Sequence, residues 1–302
     1  MDNSNNKIFQ TIKDGKEAKI QVFVVVEVFR TLAMIWFLSI LFLGVILTVS
    51  FTEEPYKEIM QGIFGVVNSC VYFDFYPSTY VLPTLYAIEP ILICLYCIAF
   101  IFRAWIAMNE NKINYGYFVC YALTFSYFFI STLVFAIIFA IQPDPKEPVT
   151  IQVHSLPFTN LIFALMIENT AIMWFNYKVA WIETDFFKWM SVISFINLFV
   201  IMISSILKIL SHVNAVLFIE STLQIENGVI LNNGWIWYVN DNETLTSFFT
   251  FADIMWLLSV VVFPILQGGY LLYRGTYTHG LIITIEDNRM SRPDYVPIES
   301  SS

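Results

Sequence analysis

The chain has 302 residues, 58% of them hydrophobic and only 13% charged, with a mean hydropathy of +0.68. A soluble domain carries about 25% charged residues, so the composition excludes an ordinary water-soluble fold and implies a multi-pass membrane protein. The net charge is −9, and with no basic arm and no zinc-type spacing a nucleic-acid partner is not expected.

Residues 1–19 read as a disordered, polar cytoplasmic tail rich in Asn and Lys. The apolar run that follows is too long for a signal-peptide core, so no cleavable leader is expected. Residues 20–28 are apolar but interrupted by Glu27 and followed by Arg30, which suggests an interfacial turn or two leading into a first helix over 31–50. A loop rich in acidic residues precedes a second helix over 81–102, which carries Glu89-Pro90 in its outer third and closes at Arg103 and Trp105. A third helix, 117–141, ends at Gln142-Pro-Asp-Pro because proline cannot continue it.

The fourth helix, 158–180, is long enough to cross a bilayer, since roughly 20 residues at 1.5 Å each cover the hydrocarbon core. It nonetheless carries Glu168 and Asn169 near its middle. A fifth helix over 187–210, a long outer loop over 211–249 and a sixth helix over 250–273 follow, with a polar tail over 274–302. A seventh helix is not expected, because the segment 213–231 holds Glu220, Gln224, Glu226 and Asn227. The expected fold is therefore all-α, a membrane bundle of six transmembrane helices. Its parts are a cytoplasmic N-terminal tail (1–19), a membrane domain (20–273) and a cytoplasmic C-terminal tail (274–302).

Orientation follows from the bias of lysine and arginine towards cytoplasmic loops. With both termini inside, only Lys57, Lys146 and Lys208 of the 15 basic residues fall outside. Cys94 and Cys97 lie in an apolar run rather than beside a βαβ unit, so a redox motif is not expected. Trp36, Trp105, Trp174, Tyr177, Trp181, Trp189, Trp256 and Tyr273 lie mostly towards helix ends, as interfacial belts do.

Residues seven apart on a helix nearly eclipse. Glu89, Tyr96 and Arg103 form one such polar stripe, Asn169, Asn176 and Glu183 a second, Asn197 and Ser204 a third, and Asp253 and Gln267 a fourth. These stripes can hold helices together through hydrogen bonds. Alternatively Glu89, His154, Glu168, Asn169 and Asp253 line a polar pocket for a ligand, ion or lipid headgroup, since intramembrane acids mark functional sites. Catalysis is the weakest reading. The chain has three histidines, His154, His212 and His279, all expected outside membrane helices, and no nucleophile elbow, phosphate-binding glycine loop or metal motif. No cofactor or metal is expected. His154, placed in an outer loop, could also sense pH.

Two short motifs bear on the cell biology. Asn242-Glu-Thr is a glycosylation sequon in the last outer loop. Tyr295-Val-Pro-Ile298 in the C-terminal tail fits the tyrosine-based pattern that clathrin adaptors read as an extended strand with two side-chain pockets.

Several local features together resemble a known family. Phe73-Asp-Phe-Tyr-Pro-Ser-Thr ends the first outer loop just before the second helix, Phe102-Arg103 closes that helix, and His154 precedes the fourth. This pattern is similar to the six-pass membrane family of the damage-regulated autophagy modulators (DRAM) and the post-GPI-attachment lipid-remodelling factors. The small-residue continuation of that family's motif is replaced here by Thr79-Tyr-Val-Leu-Pro, and the loop before helix 6 is longer. The resemblance implies a non-enzymatic protein of endosomal, lysosomal or Golgi membranes, acting in autophagy or membrane-lipid handling, with membrane lipids as partners. The rivals are a small-solute or ion transporter in which Glu168 carries the coupling ion and, third, a receptor, either of which could reside in the plasma membrane.

Overall fold

The computed structural model describes residues 9–14, 17–24, 26–51, 72–73, 76–141, 148–179, 192–207, 209, 224–226, 229–232, 251–252, 254–274 and 281–286. Asn242, Asp253, Tyr295 and Ile298 lie outside the described residues. Among the described residues, four apolar segments are long enough to cross a membrane. These are α1 (Val26–Phe51), the bent pair α2 (Ser78–Tyr86) and α3 (Glu89–Asn109), α4 (Tyr115–Phe135, prolonged by a 3-10 turn to Phe139) and the Leu156–Val179 part of α5 (Pro148–Val179). Two shorter apolar helices follow, α6 (Val192–Leu207) and α7 (residues 254–274). The protein is an integral membrane protein built as a helical bundle, with α1 packed against α2, α3 and α7, and α4 between α3 and α5.

Local chemistry explains where these helices begin and bend. Pro90, at the second position of α3, supplies no backbone N–H, and the chain turns at Ala87–Ile88 between α2 and α3. The turn before α4 uses Asn111 at a φ of 58°, a conformation asparagine tolerates better than most residues. Asn114 then caps α4, its side chain accepting from the Tyr117 N–H at 2.9 Å. Proline is well suited to a first helical position, and Pro148 opens α5, ten residues before the expected start. His154 is consequently a helix residue rather than a loop residue. The second span also runs past Arg103 to Asn109 instead of stopping there.

The termini depart most from expectation. Residues 1–19 were expected to be disordered and 274–302 a simple polar tail. Instead β1 (Phe9–Asp14) and β2 (Glu17–Val24) form an antiparallel hairpin, and β5 (Leu281–Glu286) adds to β2, from Val24↔Leu281 to Lys19↔Glu286. The reason is a two-residue period. Ala18, Ile20, Val22 and Val24 alternate with Glu17, Lys19 and Gln21, and 281–286 is rich in β-branched isoleucine and threonine, a pattern that favours strands. A further hairpin, β3 (Gln224–Glu226) with β4 (Val229–Asn232), lies within the long loop. The membrane part is helical as expected; the strands lie outside it.

Inside the bundle, aromatic rings dominate. Phe100 stacks on Phe125 with centroids 3.9 Å apart, and Tyr96, Tyr121 and Phe175 meet this pair edge-on. At two places the backbone approach demands glycine. A Cβ on Gly44 would sit 3.2 Å from the Tyr72 carbonyl oxygen, and one on Gly268 would sit 1.7 Å from Thr31 Oγ1. The first lets the Phe73–Ser78 region close on α1, where Ser78 and Thr48 hydroxyls hydrogen-bond at 3.1 Å. The second lets α7 close on α1.

Candidate functional site

Two polar levels lie one above the other inside the bundle, nearer to and further from the end that carries the terminal sheet. The nearer level is assembled by α1, α3 and α5. Arg30, one turn into α1, donates from Nη2 to Glu168 Oε2 at 3.3 Å and to Asn169 Oδ1 at 2.7 Å. Tyr96 on α3 donates to Glu168 Oε1 at 2.9 Å. The Asn169 amide donates to the Leu165 carbonyl at 2.8 Å. All four side chains are buried, Glu168 at 1% exposure. Both carboxylate oxygens are thus occupied by donors from two other helices. An ion pair buried this way stabilises weakly as a whole, but removing one partner strands a charge and costs about 3–5 kcal/mol. Two turns along α3 from Tyr96, towards the sheet, Arg103 is paired with Glu27 and lies 5.1 Å from the centre of the Phe175 ring.

The farther level is a cavity of about 30 Å³ where α1, α2, α3, α4, α5 and α7 meet. Glu89 belongs to its wall, seven residues or about 10 Å along the helix axis from Tyr96. Most of the other lining is apolar, and two of its hydroxyls are satisfied internally. Tyr86 donates its hydroxyl to the Thr132 carbonyl at 2.8 Å, and Thr132 donates its own to the Phe128 carbonyl at 2.9 Å. Glu89 is 3% exposed, and its Oε2 has no hydrogen-bond partner among the described residues.

The expected pocket therefore divides. Glu89, Tyr96 and Arg103 do share one buried face of the second span. Glu168 and Asn169 are neighbours in the ion-pair level rather than lining residues of the cavity beside Glu89. The stripe drawn through Asn169, Asn176 and Glu183 is corrected at its second residue. Asn176 is only half-buried, and Phe175 points inward against the aromatic cluster in its place, while Glu183 lies outside the described residues. His154 joins neither level. Its Nδ1–H donates to the Ile141 carbonyl at 2.8 Å, tying the start of α5 to the end of the third span. Burial holds its imidazole below the ordinary histidine range, partly offset by that bond. Cys94, Cys97 and Cys120 are free thiols.

Arg30 was missed as a site residue because it was read as an interfacial charge. The signal was present: a carboxylate expected in mid-membrane needs a cation, and few basic residues border the apolar runs. Neither known protein families nor curated proteins nor solved structures yield a match to this chain.

Proposed function

We propose that this is a DRAM-like protein of endosomal, lysosomal or Golgi membranes that handles a membrane lipid, with the cavity beside Glu89 as its ligand site. The observation that carries the reading is a carboxyl oxygen with no hydrogen-bond partner among the described residues, in the wall of a largely apolar cavity in the bundle. Such a mixture, hydrocarbon walls with one polar group to fix orientation, is what sites for amphiphilic ligands present. The segment behind the family resemblance supports the reading, since its buried Ser78 hydrogen-bonds Thr48 of α1 and its buried Phe73 packs edge-on against Phe139.

The six-span arrangement with both ends in the cytoplasm belongs to the same proposal. The pairing of β2 with β5 supports it, because strands that precede α1 and follow α7 can pair only if both ends leave on one side. That requires an even number of crossings, which α6 and α7 complete. The membrane-lipid partner and a clathrin adaptor recognising Tyr295 and Ile298 complete the picture, with glycosylation of Asn242 on the opposite side.

The test is comparative lipid analysis of endolysosomal and Golgi membranes from cells lacking the protein, with re-expression of wild type or Glu89→Gln. Lipid composition altered by the loss, restored by wild type and not by Glu89→Gln at equal abundance, is expected. Unaltered lipids would defeat the reading. Unchanged distribution of Tyr295→Ala would remove the sorting signal alone.

One observation favours a second reading, transport of a small solute or ion. Glu89 is the carboxyl left open, so it would take the coupling role expected of Glu168. Flux through reconstituted protein that vanishes in Glu89→Gln would establish this reading in place of the first.

A further inference from the structure

We propose that the cavity beside Glu89 binds a small primary ammonium group, a single positive charge on a short alkyl stem. The inference rests on the reading of this cavity as a ligand site and names the chemistry that fills it.

The first argument is charge. Among the described residues the buried charged side chains are Arg30, Glu89, Arg103 and Glu168. Arg30 is taken by Glu168 and Arg103 by Glu27. Glu89 alone has no cation opposite it. An ionised carboxylate isolated in apolar surroundings is strongly disfavoured, and a bound cation removes that penalty while filling the empty acceptor at Oε2.

The second argument is the wall. Phe37, Tyr86, Phe128 and Trp256 line the same cavity as Glu89. Aromatic faces attract cations through their quadrupole, and sites that combine rings with a carboxylate suit organic ammonium ions better than strongly hydrated inorganic ones. Tyr86 already donates its hydroxyl to the Thr132 carbonyl, which leaves its ring and its oxygen lone pairs, both suited to a cation rather than to an anion.

The third argument is size. The cavity offers about 30 Å³, and on that scale one water needs roughly 10–15 Å³. Two or three non-hydrogen atoms fit, which admits a methyl- or ethylammonium end. A trimethylammonium, with four carbons around its nitrogen, is excluded. The group could be the amine of a lipid headgroup or a free alkylamine; the chemistry at Glu89 is the same.

The test uses the full chain purified into phosphatidylcholine nanodiscs, with the unfolding midpoint as readout, because a ligand that binds only the folded state raises it. The probes are ethylammonium, ethanol and tetramethylammonium chloride at matched ionic strength. Ethylammonium is expected to raise the midpoint in a saturable way, while ethanol and tetramethylammonium do not. Glu89→Gln should weaken the apparent affinity by about thirtyfold or more, the usual scale for losing one partner of a buried charge pair. Ile93→Phe, which fills the cavity with Glu89 intact, should abolish the response by a second route. The wild-type selectivity stands as a test even where a variant folds poorly.

Nanodiscs containing phosphatidylethanolamine separate the two sources. Protein already stabilised there, with no further response to ethylammonium, identifies a lipid amine; an unchanged response identifies a free one. No response to ethylammonium, an equal response to ethanol, or a response untouched in both variants would overturn the inference. Failure of the lipid-handling reading is recognised separately, by unaltered cellular lipids in a protein that still binds ethylammonium.

Discussion

Replacing Glu168 by leucine probes the ion-pair level directly. The substitution removes the acceptor of Arg30 at 3.3 Å and of Tyr96 at 2.9 Å, in a place where Glu168 is 1% exposed. Arg30 then keeps Asn169 as its hydrogen-bond partner among the described residues but loses the carboxylate paired with it, which should destabilise the fold by about 3–5 kcal/mol. For a chain of this size that lowers the unfolding midpoint by roughly 5–8 °C. Arg30→Met should cost a similar amount, for the mirror-image reason. The double variant should be more stable than either single one, because no charge is then stranded. It should still fall short of wild type by about 1–3 kcal/mol, since the Tyr96 hydroxyl loses its acceptor, and adding Tyr96→Phe should recover most of that deficit. The measurement is thermal unfolding of purified protein in detergent, with the coupling taken from the double-mutant cycle. Single variants within about 1 kcal/mol of wild type, or a double variant as unstable as the two singles added together, would show that the pair carries no such strain.

Three further outcomes follow from other contacts. Gly268→Leu must push α7 off α1, because its Cβ would lie 1.7 Å from Thr31 Oγ1; the unfolding midpoint should fall, and Thr31→Ala, by removing the obstructing hydroxyl, should restore part of it for Gly268→Ala. Gln21→Cys with Thr284→Cys should form a disulfide on mild oxidation, since these residues are register partners in antiparallel strands, at a separation that suits such a bond; no cross-link on a reducing versus non-reducing gel would refute the sheet. His154, held below its unfolded value, contributes fully to stability above that value, near 6.5. Its contribution is lost as pH falls from there towards the folded pKa, because the unfolded chain then binds the proton more readily. The unfolding midpoint of wild type should therefore drop more steeply below pH 6.5 than that of His154→Gln, and parallel curves would argue against the effect.

The helices were largely legible because a membrane span announces itself by length and hydropathy, and the face bearing Glu89, Tyr96 and Arg103 followed from helical spacing alone. The sheet was not legible for a specific reason. Alternation in residues 17–24 runs directly into the apolar start of α1, so the two-residue period was read as a ragged helix entry. Partner choice was equally hidden. Spacing shows that Glu168 faces inward, yet whether its cation is Arg30 or Arg103 depends on which helices are neighbours and at what depth. The exchange of Asn176 for Phe175 at the inner face has the same origin, since the Phe100–Phe125 stack leaves a slot that a ring fills and an amide does not.

The two carboxylates also differ in what they can do. A group that carries an ion or meets a ligand has to release its resting partners at a cost comparable to the binding it offers. For Glu168 that means giving up Arg30 and Tyr96 together, and stranding the guanidinium would oppose exchange by several kcal/mol. For Glu89 nothing among the described residues has to be displaced at Oε2. Depth in the membrane, which first singled out Glu168, is therefore a poor guide to function without knowledge of pairing. Glu168 fits the role of the residue that locks α1, α3 and α5 in register, and Glu89 fits the role of the residue that this rigid frame presents to a cation.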